Sequence, residues 1–205
     1  MRRRRARARA GTSRGSLAAL AALAALELLT AASCRGEPRR AAADEAAIAA
    51  RARAAIGPFK GALKAALGSA MAESLPAAID VCAKRAPELA RQASRDGVTV
   101  GRSALRLRNP ENAPRSWLAP VIAELAEAPS DSEASKVVSL PDGRAGYAEA
   151  IWVGPACLLC HGAAVAPDVS AEIRRRYPND AATGFAVGDF RGVFWAELDA
   201  TSPTR

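Results

Sequence analysis

At Gly97 the spacing of apolar residues along this chain changes from helical to alternating, and that switch limits the fold more than any other feature. Upstream, Phe59, Leu63 and Leu67 recur every fourth residue, and Leu75, Ile79, Cys82, Ala86 and Leu89 every third or fourth. Such spacing lays one apolar stripe along a helix. Helices are predicted over 44–56, 59–74 and 76–94. Gly57-Pro58 is expected to end the first. Pro76 suits the first turn of the third. Pro87 is expected to kink or divide that helix, and Cys82 falls on its buried stripe. Downstream, Val98 and Val100, then Leu105 and Leu107, alternate with polar neighbours as half-buried strands do. Further strands are predicted at 136–140 and 147–153, flanking a turn at Pro141-Asp142-Gly143, and at 192–198. Short helices are expected at 117–126 and at 170–177, where Pro178 stops the second. Helices first and strands afterwards give an α+β fold, with N-terminal helices packed on a mainly antiparallel sheet. Aromatic residues make up only 4% of the chain, so the core is built of Ala, Leu, Val and Ile.

The chain has 205 residues, half of them apolar, enough for one domain of ordinary size and an appendage. Its net charge of +8 sits at one end, because residues 1–33 hold seven arginines and one glutamate and leave +2 on the rest. No nucleic-acid partner is expected of so weakly basic a body. Residues 1–33 fit a signal peptide instead: a cationic start, an apolar run over Leu17–Leu26, then small residues. That run is interrupted by Glu27 and falls short of a membrane span. Thr30-Ala31-Ala32-Ser33-Cys34 resembles a bacterial lipobox, with Ala31 where Leu is usual. Lipidation at Cys34 would anchor the chain to a membrane on its periplasmic side. Ordinary cleavage nearby would leave a soluble periplasmic protein and a stray thiol. The organisation expected is a lipoprotein-type signal peptide over 1–33, a tether and Ala-rich helix over 34–57, and a functional domain over 58–205.

Only one histidine is present, which excludes a bis-histidine haem and a two-histidine zinc enzyme. That residue closes the sequence Cys157-Leu158-Leu159-Cys160-His161, the attachment signature of c-type haem. The two cysteines form thioethers with the haem vinyl groups, and the histidine then meets the iron from one side. One covalent haem c is therefore expected, held by Cys157 and Cys160 and ligated by His161. Competing uses are a dithiol, a disulfide, or a structural zinc site made of Cys82, Cys157, Cys160 and His161. For the second axial position the residues leave open Cys82, Met71, a lysine, or no ligand. Arg102, Arg106 and Arg108 share one parity on a predicted strand. Arg102 and Arg106 are candidates for the haem propionates, against the alternative of a solvated strand face. Arg174–Arg176 fits a solvated helix face. Trp117, Trp152 and Trp195 fit either the core or the pocket wall.

Three separated segments resemble one family: residues 100–114, residues 157–162, and Tyr177–Phe185 followed by Gly188-Asp189-Phe190-Arg191-Gly192. It comprises small exported c-type haem domains with a PAS-like fold, known from cyanobacteria and widespread in proteobacteria. Its members occur alone or ahead of membrane-bound histidine kinases. The resemblance spans about residues 59–198. It implies a PAS-like fold and ligation by a cysteine on an N-terminal helix, which maps onto Cys82. No kinase segment follows, so a kinase role is not expected. A thiolate ligand implies a low reduction potential. The function expected is electron transfer or redox sensing with an unidentified redox partner protein; the alternative is sensing of NO or CO. A peroxidase would lack a distal histidine base.

Overall fold

The computed structural model describes the backbone of residues 16–199 and the side chains of residues 41–199. Two compact units are present, Met1–Asp44 and Glu45–Arg205. The start of the expected signal peptide and the Cys34 side chain lie outside the described residues. Among the described residues no helix is long and apolar enough to cross a membrane.

Helix α1 (Ser16–Glu73) passes straight through Gly57-Pro58, where the sequence predicted a break. A proline inside a helix leaves the carbonyl four residues back without its donor. Here that carbonyl belongs to Ala54, and both Ala54 and Pro58 are exposed, so water can serve it. The opposite face buries Ala52, Ile56, Phe59 and Leu63, which holds the two halves in line. Ala49, Ala52 and Ile56 join the core, and the second compact unit begins at Glu45.

Helix α2 (Leu75–Asp80) is capped by Ser74, whose hydroxyl accepts from the Ala77 amide at 3.2 Å. It continues through a π-turn (Val81–Arg85) into α3 (Ala86–Ala93). In that turn the Ala86 amide reaches back five residues to the Val81 carbonyl. Pro87 therefore does not break the helix: the wide turn directly precedes it and absorbs the missing donor. The two halves serve different cores. Ile79 of α2 packs with Val169 and Ile173 of α6 (Pro167–Arg176) and with Tyr177. Ala86 and Leu89 of α3 pack with Phe59, Leu63, Val98 and Val100.

Four strands form one antiparallel sheet in the order β1-β4-β3-β2: β1 (Val98–Ser103), β2 (Ser135–Ser139), β3 (Ala145–Trp152) and β4 (Phe190–Leu198). The α+β class is thus as predicted. Val98, Val100, Tyr147, Ala196 and Leu198 face α1 and α3. Ala148, Val193 and Trp195 face α4 (Leu118–Ala126). β1 is shorter than expected. It ends at Ser103, opposite Val193, just where the β3–β4 register shifts and Gly192 takes a φ of 148°. A Cβ at Gly192 would lie 2.3 Å from the Ser103 carbonyl oxygen. Residues 104–109 leave the sheet as a loop, and Leu105 is 59% exposed instead of packed.

Candidate functional site

A cavity of about 690 Å³ gathers Cys82, Cys157, Cys160, His161, Arg102 and Arg106 on its walls. Leu63, Leu67 and Met71 of α1 supply apolar lining, as do Ile151 and Trp152 of β3. Trp117 and Trp195 pack instead at the α4 face of the sheet. Arg174 and Arg175 are exposed on α6, while Arg176 pairs with Asp80 and Glu172.

Cys157 ends a short 3-10 turn (Pro155–Cys157) that runs into α5 (Leu158–His161). The Leu158 side chain anchors this turn among Val153, Ala182 and Phe185. The Phe185 amide donates to the His161 carbonyl at 2.9 Å and the Gly184 amide to the Gly162 carbonyl at 3.0 Å. Gly184 has a φ of 78°, which lets the chain turn back against α5. Cys82, Cys157 and Cys160 are all free thiols, with Cys157 exposed and the other two half-buried. Burial pushes the Cys160 thiol up, against the lowering charge of Arg108.

The imidazole is fixed through one nitrogen. Its Nδ1 lies 2.6 Å from the Ala182 carbonyl oxygen. A carbonyl only accepts, so Nδ1 carries the proton and Nε2 keeps a free lone pair. Burial, with the charges of Arg108 and Arg191, pushes the ring down to about 3, so it is neutral over the physiological range. The Phe185 ring meets it edge to face, 6.3 Å between centroids.

Ala182 is itself held. Arg108 and Asp180 pair through contacts of 3.1 and 3.2 Å. The same guanidinium donates to the carbonyls of Cys160 at 2.6 Å and Ala182 at 3.3 Å. Asp180 accepts from the Ala182 amide at 3.1 Å. Arg108 was expected on a strand with Arg102 and Arg106; the loop that replaces the strand buries it.

The other arginines divide by what they already touch. Arg106 donates to the carbonyls of Ala181 and Thr183 and lies 4.0 Å over the Phe185 ring. Arg102 lines the cavity and has no hydrogen-bond or ion-pair partner among the described residues, and burial pushes its pKa down. Arg191 also lines the cavity, and sequence reasoning did not single it out as a site residue. Only its place in the Gly188–Gly192 segment marked it. Tyr177 was missed in the same way: its hydroxyl is buried in the cavity wall without a partner.

These features suit a flat, largely apolar, anionic cofactor. The volume lies in the range of small-molecule sites. Free thiols, a neutral imidazole with an open lone pair and cations without a counter-charge line one cavity. Among the described residues no three His, Cys, Asp or Glu side chains are gathered closely enough to hold a metal ion by themselves.

A sequence model of the Tll0287-like family matches residues 23–198. The chain is also similar to a solved protein, described as the cyanobacterial haem protein Tll0287. The two share 30% identity over 60% of this chain and 71% of that one, with a TM-score of 0.46. No curated protein matches. The family match contains every residue of the cavity wall, from Lys60 of α1 to Phe194 of β4, and on it the chain belongs to the Tll0287-like family.

Proposed function

We propose that this chain is an exported c-type haem protein that works in electron transfer or redox sensing. One observation carries the reading: the only histidine is held neutral with its Nε2 free, lining the same cavity as both cysteines of the attachment sequence and Cys82. Membership of the Tll0287-like family, together with similarity to a solved protein described as the cyanobacterial haem protein Tll0287, supports it.

Haem would supply one-electron exchange at its iron. Cys157 and Cys160 would hold it as thioethers. His161 Nε2 would ligate from one side, and the Ala182 carbonyl would fix the ring tautomer, as outer partners of metal-bound histidines do. Cys82 would supply the second ligand to the iron, and its thiolate would donate charge, favour the ferric state and keep the potential low. Arg102 serves a propionate; Arg106, already bonded to two carbonyls, stiffens the wall beneath. Haem c forms outside the cytoplasm, in keeping with the signal peptide, a lipidated Cys34 and a periplasmic location. A PAS-like sensor architecture belongs to the same reading.

The test is export of the chain in a host carrying the c-type maturation machinery, followed by a denaturing gel stained for haem peroxidase activity. Haem that stays on the protein band is the expected result. A colourless, folded protein made under those conditions overturns the reading. Ready CO uptake by the reduced holoprotein would move the function to gas sensing.

A further inference from the structure

Six cationic side chains line the cavity, and no aspartate or glutamate does. Four of the six are accounted for. Lys60 pairs with Glu149 at 2.6 Å. Arg108 pairs with Asp180 at 3.1 Å. Arg106 is bonded to the carbonyls of Ala181 and Thr183. Lys64 is exposed to water. Two remain. Arg102 has no partner, and Arg191 donates only to the Arg106 carbonyl at 3.2 Å. Neither has a carboxylate in ion-pair range among the described residues. Both are half-buried, and burial pushes Arg191 down to about 10 and Arg102 down as well. The Tyr177 residue is 7% exposed, and its hydroxyl oxygen is buried with no partner. Burial raises its pKa, so the group remains a donor at neutral pH. Two guanidinium groups without a counter-charge and one unpartnered hydroxyl thus line one cavity, an arrangement that costs free energy until an anion arrives.

Resting on the haem reading above, we infer that Arg102, Arg191 and the Tyr177 hydroxyl seat the two carboxylates of a tetrapyrrole, so that the cavity selects a dicarboxylate porphyrin whether or not a thioether forms. Two guanidinium groups match two propionates in charge, and each suits bidentate recognition.

The test uses the chain with Cys157→Ala and Cys160→Ala, which cannot attach porphyrin covalently. It is titrated with metal-free protoporphyrin IX and, separately, with its dimethyl ester. Binding is read from quenching of tryptophan fluorescence, since Trp152 lines the cavity. Without iron, axial ligation plays no part. The free acid is expected to bind at least about tenfold tighter than the ester. Arg102→Gln, Arg191→Gln and Tyr177→Phe should each lower the ratio about twofold to threefold. Arg174→Gln, on an exposed face of α6, should leave the ratio unchanged. Each ratio is measured within one protein, so partial unfolding of a variant lowers both affinities and leaves it intact. Equal affinity for acid and ester in the parent overturns the seat and spares the haem reading. A ratio unmoved by either arginine substitution also overturns it. Failure of a folded parent to bind either porphyrin overturns the seat and leaves the covalent haem reading to the haem-stained gel.

Discussion

Arg108 and Asp180 form an ion pair with side chains only 6% and 9% exposed, and it binds the loop after β1 to the segment after α6. Asp180 also receives the Ala182 amide, and Ala182 in turn receives the His161 ring. The single histidine is therefore positioned by a chain of bonds that ends in a buried charge pair.

Asp180→Ala should cost about 3–5 kcal/mol, because it leaves the Arg108 guanidinium buried without its counter-charge. Urea unfolding of the haem-free chain measures this. Loss below 1 kcal/mol would mean that water reaches the pair and replaces the carboxylate.

The haem-free chain should lose stability in acid through His161. The unfolded ring takes up its proton near pH 6.5, the folded ring only near 3. Between those values the unfolded state binds the extra proton, so stability falls as pH drops below 6.5 and is unaffected above it. At pH 5 the loss amounts to about 2 kcal/mol. His161→Gln can still donate to Ala182 and should flatten that part of the profile. Parallel profiles for the two proteins would show that the ring is not held neutral.

In the holoprotein, Cys82→Ser should change the low-spin absorption spectrum and raise the reduction potential, since the strongest charge donor to the iron is gone. Spectroelectrochemistry reads both quantities in one titration. An unaltered spectrum removes Cys82 from the iron and leaves Met71, a lysine or no ligand.

Glu197 is 4% exposed and bound by Arg115 at 3.0 Å, by Arg144 at 2.5 Å and by the Trp117 indole at 2.7 Å. Glu197→Gln keeps the shape and removes the charge. The expected cost is about 1.5–3 kcal/mol, the range for hydrogen bonds to an ionised group. At roughly 2–4 °C per kcal/mol for a chain of this size, the thermal midpoint should fall by several degrees while cofactor binding persists. The cluster sits at the α4 face of the sheet, away from the cavity lining.

What could be read from the sequence follows from how local each cause is. The attachment sequence is local, so Cys157, Cys160 and His161 were found together. The helical stripe through Ile79, Cys82 and Leu89 was legible because its period survives, whereas the π-turn beneath Cys82 depends on packing to two separate cores. Leu105 and Leu107 alternate as a strand should. Their pairing partner is lost where β4 bulges at Gly192, and nothing in residues 104–109 signals that. Gly57-Pro58 carries a break signal that burial of Ile56 and Phe59 overrides. Ala182 acts through its carbonyl, which no side chain advertises. Arg191 and Tyr177 lie inside segments that carry the family resemblance, yet nothing beside them in the sequence points to the cavity, and only the fold brings them there.

The π-turn makes the helix carrying Cys82 intolerant of a change in length. Such a turn holds one residue more than an α-helix would use there. Removing any one of residues 81–85 would draw the turn tight and leave Pro87 inside a regular helix, its missing donor no longer absorbed. Everything beyond the deletion would then swing by about 100° around the helix axis. Ile79 could keep its seat against α6, but Ala86 and Leu89 would leave theirs beside Phe59 and Val98. Insertions and deletions in descendants of this sequence should therefore collect in the loops and spare this stretch, while substitutions at its exposed Lys84 and Arg85 pass freely.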